Sequence, residues 1–282
     1  FGSRNLSAQA LAGPVELRLQ AVGPMLFNCC GRQEDTSTEF VISAPSVPGK
    51  EYAEKKIDLE MWTLHEATDA GRQDVVELLI SSKADLDKRN ADGEVALHRA
   101  AYCGKDGIAQ YLLNAGANPN ITDRKDKTPL RRAYDNPAIT AMLLAAHADP
   151  NTVDSSGSTA LHRAAEIDQV EVAKLLVAAN AALTSHNEEQ GTPLHEAASF
   201  GSFGMVDFLV GARADVRAVD IYGNTPLHHA AFSGQATVCR LLMDLGADVS
   251  TTNGDAQTPL MCAQSSGKDE AVAALQGKKQ LI

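Results

Sequence analysis

The chain has 282 residues, of which 44% are apolar, 22% charged and only 5% aromatic, and its formal net charge is −11. That apolar share supports a folded core, while the acidic balance argues against general nucleic-acid binding. No apolar run approaches the roughly 20 residues of a membrane-spanning helix, and 44 alanines call for closely stacked helices rather than a sandwich or barrel.

Residues 1–50 are expected to be a disordered arm, with the Ser-, Thr-, Pro- and Gly-rich stretch 31–50 as a flexible linker. Phe1-Gly2-Ser3-Arg4 resembles one reading frame of a trans-spliced messenger leader. Residues 1–24 therefore read either as a translated leader with the true start at Met25, or as part of the arm. Cys29 and Cys30 are candidate S-acylation sites, because stable anchoring takes two chains; the alternative is a pair of free thiols. The five cysteines include no CxxC and no Cys/His cluster at zinc spacing, which points to a reducing compartment and inert packed thiols at Cys103, Cys239 and Cys262. Residues 51–59 are expected to form a short helix just ahead of residue 60.

From residue 60 a repeat dominates. Thr-Leu-His-Glu-Ala at 63–67 returns as Ala-Leu-His-Arg-Ala-Ala at 96–101 and Thr-Pro-Leu-Arg-Arg-Ala at 128–133. Further copies start at Thr159, Thr192, Thr225 and Thr258. The central leucines 64, 97, 130, 161, 194, 227 and 260 are 33 residues apart, except for one interval of 31. Threonine followed by proline starts a helix, the hydroxyl capping a free amide and the ring pre-setting φ. Gly71, Gly104, Gly201, Gly234 and Gly267 end that helix seven residues after the leucine, and a second apolar-periodic helix comes next, as at Val75-Val76-Leu78-Leu79. One such hairpin cannot bury its own apolar face, so neighbours must stack.

Seven units at this period across 60–277 resemble ankyrin repeats. The resemblance implies an all-α solenoid of helix-turn-helix units with hairpin-like turns, and a concave face that meets a partner protein. Repeat three is two residues short and carries Asn136-Pro137, so Pro137 is expected to open its second helix. Where neighbours end the second helix on Gly116 or Gly246, other repeats have Lys83, His147, Asn180 and Arg213; each non-glycine there, with Asn180 as the exception, is expected to carry a left-handed backbone cost. Residues 278–282 form a tail.

The histidines 65, 98, 162, 195 and 228 recur once per repeat, separated by the stacking distance. Helices roughly 8–10 Å apart cannot share a zinc ion, and the resemblance makes these histidines structural hydrogen-bonding residues. No Gly-x-Ser-x-Gly elbow, phosphate loop or Gly-x-Gly-x-x-Gly is present, and Glu188-Glu189 sits on an exposed turn. The chain is therefore expected to be non-enzymatic, with no cofactor or metal. Asn120 and Asn151, each with a leucine eight residues earlier, are candidates for asparagine hydroxylation on family resemblance.

Two binding surfaces are legible on the concave side. The first is a basic groove of Arg99, Tyr102, Arg124, Lys125, Lys127, Arg131, Arg132 and Arg163; residues 88–132 hold nine basic and five acidic side chains, a net of +4 in an acidic chain. Such a groove suits an acidic or phosphorylated partner. The second is an aromatic patch of Phe200, Ile221, Tyr222, His229 and Phe232, since interface centres are enriched in aromatic side chains. The expected function is a cytoplasmic adaptor or scaffold that binds another protein, not nucleic acid. The alternatives are a membrane-tethered regulator anchored through Cys29 and Cys30, and a structural subunit of a larger assembly.

Overall fold

The computed structural model describes residues 39–42 and 55–277. The chain divides into two compact units, 1–63 and 64–282. In the first, strand β1 (Glu39–Ile42) pairs antiparallel with β2 (Lys55–Asp58), Phe40 standing opposite Ile57, and a 3-10 turn comes next at Leu59–Met61. This corrects two expectations: 39–42 is a strand within the arm, and 55–58 a strand in place of a helix. Phe40-Val41-Ile42 is a run of strand-forming side chains, and a nine-residue helix is too short to nucleate by itself.

Among its described residues the second unit holds seven helix pairs. In chain order these are α1 (Leu64–Asp69) with α2 (Gln73–Ser81), α3 (Ala96–Tyr102) with α4 (Asp106–Asn114), and α5 (Pro129–Arg132) with α6 (Pro137–Ala145). Then come α7 (Ala160–Glu166) with α8 (Val170–Ala178), and α9 (Pro193–Phe200) with α10 (Phe203–Gly211). The last two pairs are α11 (Pro226–Ser233) with α12 (Ala236–Asp244), and α13 (Pro259–Ser265) with α14 (Asp269–Leu275). First helices pack on first helices and second on second, so the array is an all-α solenoid.

Small side chains permit that packing. Ala100-Ala101, Ala164-Ala165, Ala197-Ala198 and Ala230-Ala231 are fully buried in the first helices of repeats two, four, five and six, and Leu97, Leu130, Leu161, Leu194 and Leu227 fill the space beside them. In repeat three the first helix shrinks to four residues. Asn136 caps the next helix by accepting from the Ile139 amide at 3.0 Å, with Pro137 as its first residue, as the sequence implied.

A hydrogen-bonded ladder ties the stack together. His195 Nδ1 accepts from the Thr192 amide at 3.1 Å, while its Nε2–H donates to the Asn224 carbonyl of the next repeat at 3.1 Å. His98, His162 and His228 do the same toward Lys127, Gly191 and Gln257. A carbonyl only accepts, so these imidazoles are neutral Nε2–H tautomers. Burial pushes His162 and His195 down to about 4, and lowers His98 and His228 as well. The threonine hydroxyl caps its helix at Thr128 and Thr258, where no histidine follows; at Thr159, Thr192 and Thr225 it lies 2.9 Å from the histidine Nδ1 instead.

The loops after the second helices carry the expected strain. Lys83, His147, Asn180 and Arg213 have φ of 63°, 64°, 66° and 75°, in the region where Gly116 and Gly246 sit at 91° and 92°. At the other end of each repeat the turn tips are joined by backbone bonds. Ser155 N–H donates to Lys125, Glu188 to Ser156, Ile221 to Glu189 and Gly254 to Tyr222, at 2.8–3.0 Å.

Candidate functional site

Two rows of side chains, fixed by the repeat, make up the exposed face of the first helices and turns. Five residues before each central leucine, the turn tips carry Asp92, Lys125, Ser156, Glu189, Tyr222 and Asp255 in successive repeats. Two residues after it, the first helices carry Glu66, Arg99, Arg132, Arg163, Glu196, His229 and Cys262. The bonded tips and capped helices hold both rows in register.

In repeats two to four Arg99, Arg131, Arg132 and Arg163 are already committed. Arg132 Nη2 lies 2.7 Å from both Glu94 Oε1 and Asp123 Oδ2, whose side chains are 5% and 2% exposed. Arg99 pairs with Asp69 at 2.8 Å and reaches Glu94 at 3.5 Å. Arg131 stands where other repeats have the ladder histidine; it turns into the stack toward Asp154 at 3.3 Å, and burial lowers its pKa. Arg163 pairs with Glu166 and lies over the Tyr134 ring at 4.6 Å. Arg99 and Arg132 flank Tyr102 at 5.7 and 5.9 Å, within cation–π range.

Of the eight residues expected in the basic groove, six line one cavity of about 400 Å³: Arg99, Tyr102, Arg124, Lys125, Lys127 and Arg132. Asp92, Glu94 and Asp123 line it too, while Arg131 and Arg163 lie outside it. Only Arg124 and Lys125 among its cations are exposed. Desolvation lowers the pKa of half-buried Lys127, reinforced by Arg131 and Arg132. The net of +4 along 88–132 already counts Glu94 and Asp123, so pairing lowers it only through carboxylates outside that span, Asp69 with Arg99 and Asp154 with Arg131.

Repeats six and seven look different. Tyr222, His229 and Phe232 line a second cavity of about 400 Å³, with Glu189 and Asp255 from the neighbouring tips and Cys262 on the next first helix. Phe200 and Ile221 are exposed but lie outside its lining. Asp220 organises the turn. Its Oδ1 accepts from the amides of Tyr222 and Asn224 at 2.9 and 2.8 Å, and its Oδ2 meets His229 Nε2 at 2.8 Å. Burial raises the Asp220 pKa, but His229 and the Asn224 contacts outweigh it and hold the carboxyl below its usual range. The His229 ring meets that of His195 edge-on at 5.3 Å.

Asp220, Asp123 and Glu94 were not singled out from sequence. A signal existed for the first two: the turn residue and the helix residue nine positions later touch in Asp123–Arg132, Asn187–Glu196 and Asp220–His229. Asn120 and Asn151 bridge to the next repeat: Asn120 binds the His147 carbonyl and the Asp149 amide, Asn151 the Asn180 carbonyl and the Ala182 amide. Burial pushes the Cys239 thiol up to about 12 and raises Cys262, as expected of packed cysteines. Cys29 and Cys30 lie outside the described residues. Among the described residues no group of three histidine, cysteine, aspartate or glutamate side chains is placed to hold a metal ion, and no helix is long and apolar enough to cross a membrane.

The family model described as "Ankyrin repeats (3 copies)" matches residues 50–123, 130–220 and 202–281. Among curated proteins, the chain is 36% identical over 77 residues to ADP-ribosylation factor GTPase-activating protein AGD2 of Arabidopsis thaliana, covering 27% of this chain and 10% of that protein. It is 38% identical over 72 residues to rat (Rattus norvegicus) diacylglycerol kinase zeta, covering 25% and 8%. The chain thus spans about a tenth or less of these relatives. Among solved structures, the ankyrin repeat domain of human ASB11 superposes with a TM-score of 0.70 at 26% identity, over 78% of this chain and 99% of that one. The ankyrin repeat domain of Bcl-3 gives 0.64 at 29% identity, over 76% and 97%.

Proposed function

Because this chain belongs to the ankyrin repeat family, whose domains are typically protein–protein interaction modules, we propose that it is a non-catalytic scaffold that binds a partner protein through the exposed face of repeats five to seven. The observation that carries this reading is the pair Tyr222 and Phe232. The two residues are 57% and 62% exposed and line one cavity, on a turn and a helix that hydrogen bonds hold fixed. Rigid, exposed aromatic side chains bring large contact area at little entropic cost, the property that concentrates binding energy in a few anchors. In repeats two to four, by contrast, a partner must compete with carboxylates already bound to Arg99 and Arg132.

The non-catalytic part of the reading is supported by what the titratable groups are doing. The ladder histidines spend both ring nitrogens on backbone groups, and the Cys239 thiol is held in its protonated form by burial.

Affinity capture from cell extract with the full chain tests the proposal. A Tyr222→Ala/Phe232→Ala variant should lose the specific partner, and an Arg124→Glu/Lys125→Glu variant should keep it. Both pairs are exposed, so neither change threatens the fold. Loss of the partner from the second variant and its retention by the first would place the interface on repeats two to four.

A further inference from the structure

The two halves of the exposed face differ in a way that specifies what the second cavity accepts. In repeats two to four the rings of Tyr102 and Tyr134 already have guanidinium groups against them: Arg99 and Arg132 at Tyr102, Arg163 at Tyr134. Phe232 occupies in repeat six the same register position, five residues after the central leucine, that Tyr102 occupies in repeat two. The row that supplies the arginines changes, however, to Glu196, His229 and Cys262 in repeats five to seven. Tyr222 and Phe232 therefore have no guanidinium over them among the described residues.

The charge around them changes too. Residues 187–277 contain four basic and eleven acidic side chains, a net of −7. On the tip row, Tyr222 stands between Glu189 and Asp255, joined to both tips through the backbone bonds Ile221 to Glu189 and Gly254 to Tyr222. Both carboxylates are exposed and line the cavity, and among the described residues neither is in an ion pair. The third carboxylate, Asp220, is held by His229 and fixes the turn.

We propose that the Tyr222–Phe232 cavity takes the arginine or lysine side chain of a basic segment in the partner, with Glu189 and Asp255 as its counter-charges. This rests on the reading that repeats five to seven are the partner-binding face, and it adds the chemistry of what binds there. A guanidinium is the better fit, since it stacks on a ring with its plane while its edge donates to carboxylates on either side. Aromatic faces attract the cation and exposed carboxylates steer it, so binding should weaken as salt rises.

Selection of a random peptide library displayed on phage against the full chain separates the possible results. The expected peptides are enriched in arginine and lysine. They should bind Glu189→Gln/Asp255→Asn about tenfold or more weakly than the wild type, and Tyr222→Ala/Phe232→Ala weaker still. Peptides that need Tyr222 and Phe232 but are neutral or acidic, or basic peptides indifferent to Glu189→Gln/Asp255→Asn, would overturn the inference and leave the binding face standing. Peptides indifferent to Tyr222→Ala/Phe232→Ala, or no binders at all, would overturn both. The glutamine and asparagine changes are near-isosteric and exposed, so loss of folding does not confuse the result.

Discussion

Replacing Lys83, His147 and Arg213 by glycine should stabilise the array. All three side chains are exposed, and their φ values of 63°, 64° and 75° put each Cβ against its own carbonyl. A left-handed residue with a Cβ costs about 1–2 kcal/mol. Glycine removes that cost but returns about 0.4–1 kcal/mol by loosening the unfolded chain. The net gain is about 0.5–1 kcal/mol per site. Successive sites are two repeats apart, so the gains should add, giving roughly 2 kcal/mol for Lys83→Gly/His147→Gly/Arg213→Gly. At about 2–4 °C per kcal/mol for an array this size, the melting midpoint should rise by roughly 4–8 °C. Urea unfolding followed by far-ultraviolet circular dichroism should show a higher midpoint at constant slope. Asn180→Gly should gain less, because asparagine tolerates this conformation. Gly116→Ala and Gly246→Ala should each lose about 1 kcal/mol, for reasons of backbone alone: an added Cβ at either site meets no atom within 4 Å. An unchanged or lower midpoint in the triple variant would refute the account of strain at these loops.

Acid should unfold the array through its histidine ladder. His162 and His195 titrate near 4 in the fold and near 6.5 when unfolded, so the unfolded chain binds more protons between those limits. Stability should therefore fall as pH drops below about 6.5, by roughly 3 kcal/mol per histidine by about pH 4. The lowered carboxylates of Asp123, Asp154 and Asp220 add losses below their unfolded value, whereas Glu196, raised by burial, acts in the opposite direction. Equal urea midpoints near neutrality and near pH 5 would contradict this assignment. Arg132→Gln should cost about 2–4 kcal/mol, because it strands Glu94 and Asp123 with their charges buried. Lys125→Gln, on an exposed tip, should change stability by less than about 0.5 kcal/mol in the same assay.

The array was legible because its physics is written seven times. Every repeat must cap its first helix, stop it, and reverse after the second, and Thr-Pro, the glycine seven residues after the leucine, and the loop glycine each mark one of those needs. Where a mark was missing, the consequence could still be read: a non-glycine at 83, 147 or 213 predicted the left-handed backbone that is found. The β1–β2 pair was missed because it lies outside the period, where a strand must be judged from four residues and a partner not adjacent in sequence. Pairing across repeats was harder still. Arg99 finds Asp69 thirty residues back, and Arg131 finds Asp154 twenty-three ahead, so a charge count along 88–132 treats as free two cations that stacking neutralises. The remedy lies in the period itself. Stacking brings residues one repeat apart side by side, so charge has to be summed down the rows of the array rather than along the chain. Summed that way, the tip row passes from Lys125 to Glu189, Tyr222 and Asp255, and the helix row from three arginines to Glu196 and His229. The three arginines of the helix row meet their counter-charges within the chain, whereas among the described residues Glu189 and Asp255 beside Tyr222 do not, and on that imbalance rests the proposal that repeats five to seven meet a partner.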